Sequence, residues 1–284
     1  ISILDQFEIS TEDILTQDLD RDLKINKEAY ELFLKGSYLC NHVKSKEDYL
    51  EAQDMLEQAI NKDGNFSEAH AYNGIISMRI GRFEEAEESF DIALEIAEDN
   101  NNLDSLSSIY NFLGIYHKIR GHLKKAVRSF EKGLKIHKES NNKIKECHIL
   151  NNLADCYSKM RRNEQAVEFI ERILPEYKKR EEFEFLANSY GNLGNAYKNM
   201  GQLTLALESY NKSGALCIKT ESNLSQAKIL IIISDIYNEM GLVNKSKNTL
   251  IKLEKLVNNL KNEHLYGRYK ASMALMYLNS DNLD

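Results

Sequence analysis

Tryptophan is absent from the 284 residues, proline occurs once, and the four cysteines stand far apart. No apolar run approaches the roughly 20 residues that a bilayer-spanning helix needs, and no signal-peptide pattern opens the chain. Cys40, Cys147, Cys156 and Cys217 make no Cys-x-x-Cys pair and no histidine cluster stands at zinc-site spacing, which excludes the common metal and redox motifs. A reducing, cytoplasmic setting is the expectation, with each thiol a small buried hydrophobe. Neither Gly-x-Gly-x-x-Gly nor Gly-x-x-x-x-Gly-Lys-Ser/Thr occurs, so no phosphate loop is present. No catalytic residue, cofactor site or metal site is expected. Cys147 adjoins His148, but neighbours on a helix point about 100° apart, so adjacency does not make a dyad.

What the chain does hold is a periodicity. "YGNLGNAYKNMGQLTLALESY", from residue 190, has counterparts at steps of 40 from residues 70, 110, 150 and 230. Small residues recur at Gly74, Gly114, Ala154, Gly194 and Ser234, and again at Ala86, Ala126, Ala166, Ala206 and Ser246. Bulky apolar residues recur at Phe90, Phe130, Ile170, Tyr210 and Leu250, and Gly81, Gly121, Gly201 and Gly241 mark a break, with Arg161 the exception. A glycine just past a helix end supplies the positive φ that a turn needs. Gly194 is therefore read as a close-packing site and Gly201 as a turn. Gly191 fits neither role.

Small residue, aromatic (Tyr157, Tyr197, Tyr237), alanine and aromatic at these spacings resemble the tetratricopeptide repeat, whose usual length is about 34 residues. Only the interval Ala52 to Ala86 has that length; the forty-residue repeats are similar to those of kinesin light chain and of spindle-orientation adaptors. The resemblance implies an all-α, right-handed superhelical α-solenoid of stacked helix pairs. The expected repeats are 27–66, 67–103, 104–142, 143–181, 182–221 and 222–260, with the first helix of a seventh over 262–284. The last sixteen residues fit such a helix and then stop, so the chain is read as a portion of a longer protein. Before the array, residues 1–26 are a separate segment. Ser10 with Asp13 reads as a helix start, and Ile14, Leu15, Leu19 and Leu23 form one apolar stripe, giving a capping helix over about 11–23. A dimerising linker is the alternative.

Charge alternates between repeats. "RFEEAEESFDIALEIAED" is acidic and "HLKKAVRSFEKGLKIHK", one repeat later, is basic. Aligned by position, Glu84 meets Lys124, Glu85 meets Lys125, Glu88 meets Arg128, Glu95 meets Lys135 and Glu98 meets Lys138. Lateral ion pairing across the repeat seam is expected, in preference to nucleic-acid binding; the net charge of −7 agrees.

Polar amides accumulate on the face expected to be concave. It holds Asn111, then His148, Asn151, Asn152 and Asp155, then Asn188, Asn192, Asn195 and Lys198, then Lys228 and Asp235. Asparagine is a poor helix former, and its amide both donates and accepts, which suits the backbone of an extended peptide. In peptide-binding adaptors of the resembled family an asparagine before the leucine of the first helix contacts ligand backbone. Asn152 in "LNNLA" and Asn192 in "GNLG" match it, whereas Tyr72, Phe112 and Ile232 depart from it. The missing side chain of Gly191 is expected to leave room for the ligand. Alanine at Asn152, Asn192 and Asn195 is expected to weaken binding with little loss of stability. The partner is then another protein or peptide, with no nucleic acid and no membrane contact. A regulatory or homo-oligomerising module is the alternative, since "EAYELFLKGSYLCN" is similar to the first repeat in tails of class III adenylate cyclases and transcription activators.

Overall fold

The computed structural model describes residues 26–42, 45–140 and 143–281. The expected cap over 11–23 lies outside the described residues. Among these residues the chain forms thirteen helices and no strand, and contacts divide it into two units, the first ending at Asn141 and the second beginning at Asn142. The first unit holds α1 (Lys27–His42), α2 (Lys46–Lys62), α3 (Ser67–Arg79), α4 (Phe83–Asp99), α5 (Leu103–Ile119) and α6 (Leu123–Ser140). The second holds α7 (Lys143–Lys159), α8 (Asn163–Lys179), α9 (Phe183–Asn199), α10 (Leu203–Lys219), α11 (Asn223–Glu239), α12 (Val243–Leu260) and α13 (Glu263–Asp281). Both are helical-repeat solenoids: first helices pack on their own second helices, and each second helix packs on the first helix that follows it within its unit.

The helices stop where a left-handed residue lets the chain fold back. Gly201 has φ of +73°, and the N–H of Gln202 donates to the carbonyl of Tyr197 at 2.9 Å. This is the six-to-one bond of a glycine-type C-cap. Arg161, where glycine is missing, adopts the same conformation at φ +63°, and Arg162 N–H still reaches Tyr157 O at 2.8 Å. Three of the breaks between repeats use the same turn without glycine. Asn101, Glu181 and Glu221 have φ of +50°, +57° and +53°, and the following N–H groups bond Ala97, Tyr177 and Cys217. Among the described residues this turn type recurs at multiples of twenty residues from Gly81 to Gly241, and half of its occurrences carry glycine.

Within each pair, a small residue on the first helix receives a bulky one from the second. Phe90, Phe130, Ile170 and Tyr210 are fully buried, each contributing about 1.5–3 kcal/mol of apolar burial. A Cβ on Gly194 would lie 2.8 Å from Cε1 of Tyr210, closer than carbon atoms approach, so the ring requires glycine there. Ala86, Ala126, Ala166 and Ala206 are also fully buried. The single proline, Pro175, sits inside α8, where it removes a ladder donor and crowds the carbonyl a turn earlier.

Among the described residues none of the ion pairs expected between α4 and α6 forms. The next first helix, α5, packs between these second helices. Glu84 pairs with Arg120, at 3.7 Å, rather than with Lys124. Tyr110 of α5 donates its hydroxyl to Glu98 at 3.5 Å and carries Lys132 over its ring at 5.0 Å. Glu85 turns to Arg82 at 3.4 Å, and the Lys138 side chain lies outside the described residues. An intervening helix keeps the two charged faces beyond contact. Both faces remain exposed.

Candidate functional site

The first helices of the second unit each present a polar stripe. On α7, His148, Asn151, Asn152 and Asp155 follow at steps of three, one and three; on α9, Asn188, Asn192, Asn195 and Lys198 follow at four, three and three. Such steps keep side chains on one helix face. On α11 the stripe holds Lys228 and Asp235. Asn111 belongs to the first unit, where it is half-buried.

The amides bridge repeats. Asn192 Nδ2 donates to Asn151 Oδ1 at 3.2 Å, and Ser189 Oγ donates to the same oxygen at 3.1 Å. This holds Asn192 in one orientation, while its own carbonyl oxygen has no partner among the described residues. Asn188 is exposed beside it. Asn188, Lys198 and Lys228 make no polar contact among the described residues, so their groups are available to a ligand. Asp235 Oδ1 accepts from Ser272 Oγ at 2.6 Å, and Asp155 pairs with Lys159 at 3.0 Å. Asn152 is half-buried beside Asn151.

Two expected site residues, and Gly191, make contacts that serve the fold. Asn195 Oδ1 accepts the hydroxyl of buried Tyr210 at 2.6 Å. Its amide satisfies a group that the phenylalanines of the equivalent positions lack, so alanine there cannot be free of cost in stability. His148 stacks on Phe185 at 3.9 Å between ring centroids and on Tyr177 at 5.8 Å, and its buried Nε2 has no partner. Burial brings its pKa down to about 4. Gly191 faces the repeat seam: a Cβ there would sit 3.6 Å from Ser213 Oγ and 3.8 Å from Ile229 Cδ1. It faces α10 and α11.

In the second and third repeats the position of Asn152 and Asn192 is aromatic, as Tyr72 and Phe112. Phe33, Tyr72 and Phe112 lock edge to face, with centroids 5.4 and 5.8 Å apart. Rings interlock there by quadrupole attraction, whereas the second unit presents amides. Sequence reading also missed a second set of bridges. Asn199 Nδ2 donates to Ser158 O and Oγ, each at 3.1 Å, and Arg161 donates to Asn199 Oδ1 at 3.2 Å. Asn279 Nδ2 donates likewise to Asn238 O at 3.3 Å. The signal was available, since each asparagine stands 41 residues after the residue it binds.

Among the described residues no group of three metal-ligating side chains converges, and no helix is long and apolar enough to cross a membrane. Family profiles described as tetratricopeptide repeat match residues 64–139, 149–186 and 187–213. No curated protein sequence matches the chain. Among solved structures, a Rap protein complexed with competence and sporulation factor is 13% identical, with a TM-score of 0.71 over 95% of this chain and 79% of that one. NprR in complex with its cognate peptide NprX is 14% identical, with a TM-score of 0.69 over 96% and 79%. The kinesin light chain-like repeats of Podosopora anserina are 18% identical, with a TM-score of 0.53 over 70% and 99%. At these identities the likeness is one of fold.

Proposed function

This chain is a tetratricopeptide-repeat protein, and we propose that the first-helix face of its second unit binds an extended or helical segment of a partner protein. The observation that carries the reading is the fixed amide of Asn192, held from the neighbouring repeat by Asn151. A preoriented amide loses little freedom on binding, so more of its hydrogen-bond energy appears as affinity. Asn188 and Lys198 flank it with uncommitted donors. The face reads main-chain groups more than side chains, because amides pair with any backbone. NprR, similar in fold, has been seen with its cognate peptide, which supports an interaction role for a solenoid of this kind. The four free, buried cysteines suit a reducing, cytoplasmic setting.

The test is retention from source lysate on immobilised wild type and on the N188A/N192A variant, followed by mass spectrometry. A peptide from any partner lost with the variant is then titrated by fluorescence anisotropy. Loss of at least tenfold in affinity supports the amide face. Identical partners for both proteins overturn it, and self-association alone favours an oligomerising module of a larger signalling protein.

A further inference from the structure

A different surface of the second unit departs from its own repeat pattern. Between the second helices α10 and α12, above α11, lies a cleft of about 470 Å³. That is within the range of roughly 300–1,000 Å³ typical of ligand sites. Its α10 wall is Asn211, Gly214, Ala215 and Ile218, at steps of three, one and three that share a helix face. The equivalent residues of α6 are Glu131, Leu134, Lys135 and Lys138, and those of α8 are Glu171, Leu174, Pro175 and Lys178. In α4 they are Asp91, Leu94, Glu95 and Glu98. Only α10 has lost both the charges and the leucine.

The loss of the leucine opens space. A Cβ on Gly214 would touch Ile229 Cγ2 at 3.6 Å, an ordinary contact, so a longer side chain there would lie over the isoleucine floor. Leu94, Leu134 and Leu174 are half-buried at this place in their repeats. Ile218, at the end of the same wall, is 63% exposed. Opposite it, Lys252 and Lys255 stand exposed on α12, neither has an anionic partner among the described residues, and no Asp or Glu lines the cleft. An apolar floor with two unneutralised cations on its rim selects for apolar and anionic groups together, by burial and by charge.

We propose that this cleft is a second docking site, for an acidic segment of a partner protein that seats one large apolar side chain over Gly214 and sets carboxylates against Lys252 and Lys255. It is separate from the amide face, being walled by second helices, and does not depend on the reading of that face.

A twelve-residue random peptide library is panned on the wild-type chain with counter-selection on Gly214→Leu. That variant restores the residue of three sister repeats, and its helix content by circular dichroism is expected to match wild type. Enriched peptides are expected to carry a large apolar residue flanked by Asp or Glu. Synthesised and titrated by anisotropy, they should lose at least tenfold in affinity with G214L and with K252E/K255E, and bind more weakly as salt rises. N188A/N192A should leave them unchanged. Failure of any peptide to enrich, enrichment of basic peptides, or equal affinity for wild type and G214L overturns the proposal. Loss with N188A/N192A alone also overturns it, and assigns the peptides to the amide face.

Discussion

The Tyr210 hydroxyl donates to Oδ1 of Asn195 across 2.6 Å, although the two residues belong to different helices and the tyrosine is fully buried. Its ring lies against Gly194, so one aromatic side chain fixes both a glycine and an asparagine. Asn195→Ala strands the hydroxyl and should cost about 1–3 kcal/mol. Tyr210→Phe should be nearly neutral, because Phe90 and Phe130 hold the same place in other repeats. Denaturant melts of both single variants and of the double variant form a cycle, and the double should be less destabilised than Asn195→Ala. Additive losses would mean that the bond carries no energy.

His148 sits neutral in its aromatic stack with its pKa down at about 4, below an unfolded value near 6.5. Between these values the unfolded chain binds more protons, so stability rises with pH and falls on acidification from about 6.5 towards 4. His148→Phe keeps the stack and removes the orphaned Nε2. It should melt higher at neutral pH and show a shallower decline of melting temperature from pH 7 to 4.5. His70 and His117 are shifted the same way by burial, so some acid sensitivity should remain. An unchanged slope would remove His148 from the account.

Glu221 is exposed and holds φ at +53° with no side-chain partner among the described residues. The left-handed region costs an ordinary residue about 1–2 kcal/mol, partly offset by the chain entropy that glycine loses on folding. Glu221→Gly should therefore stabilise by about 0.5–1 kcal/mol in urea unfolding. Glu221→Val, branched at Cβ, should destabilise.

Pro175→Ala restores a helical donor and removes a ring from the interior of α8. Interior proline costs about 3 kcal/mol, so a gain of about 1–3 kcal/mol is expected in the same assay. No gain would show that the surrounding helices already accommodate the proline ring.

Small, bulky and glycine positions repeated every forty residues made the pairing of Gly194 with Tyr210 and the turn at Gly201 legible, because close packing and positive φ each admit few residue types. The turns at Asn101, Glu181 and Glu221 were not legible, since non-glycine residues carry no mark of the strain they accept. Reading Glu84 opposite Lys124 failed for another reason: equivalent positions in sequence are neighbours only where no helix intervenes, and α5 does. At the candidate site, residue type placed Asn188 and Asn192 on one stripe. It did not reveal that Asn195 serves Tyr210, because an amide's partner depends on a hydroxyl fifteen residues away.

The turn that recurs at twenty-residue steps among the described residues from Gly81 onward gives the repeats a unit of length. Removing or duplicating forty residues returns every cap hydrogen bond to an equivalent pair of atoms and leaves first and second helices in their roles, so growth by whole repeats is nearly neutral for such a fold. Removing twenty would exchange those roles beyond the cut and turn the amide-bearing face over. Recombination within the gene is thereby quantised: it can lengthen or shorten the first-helix face in steps of one helix pair, while the chemistry of each step is set by the few side chains on its first helix.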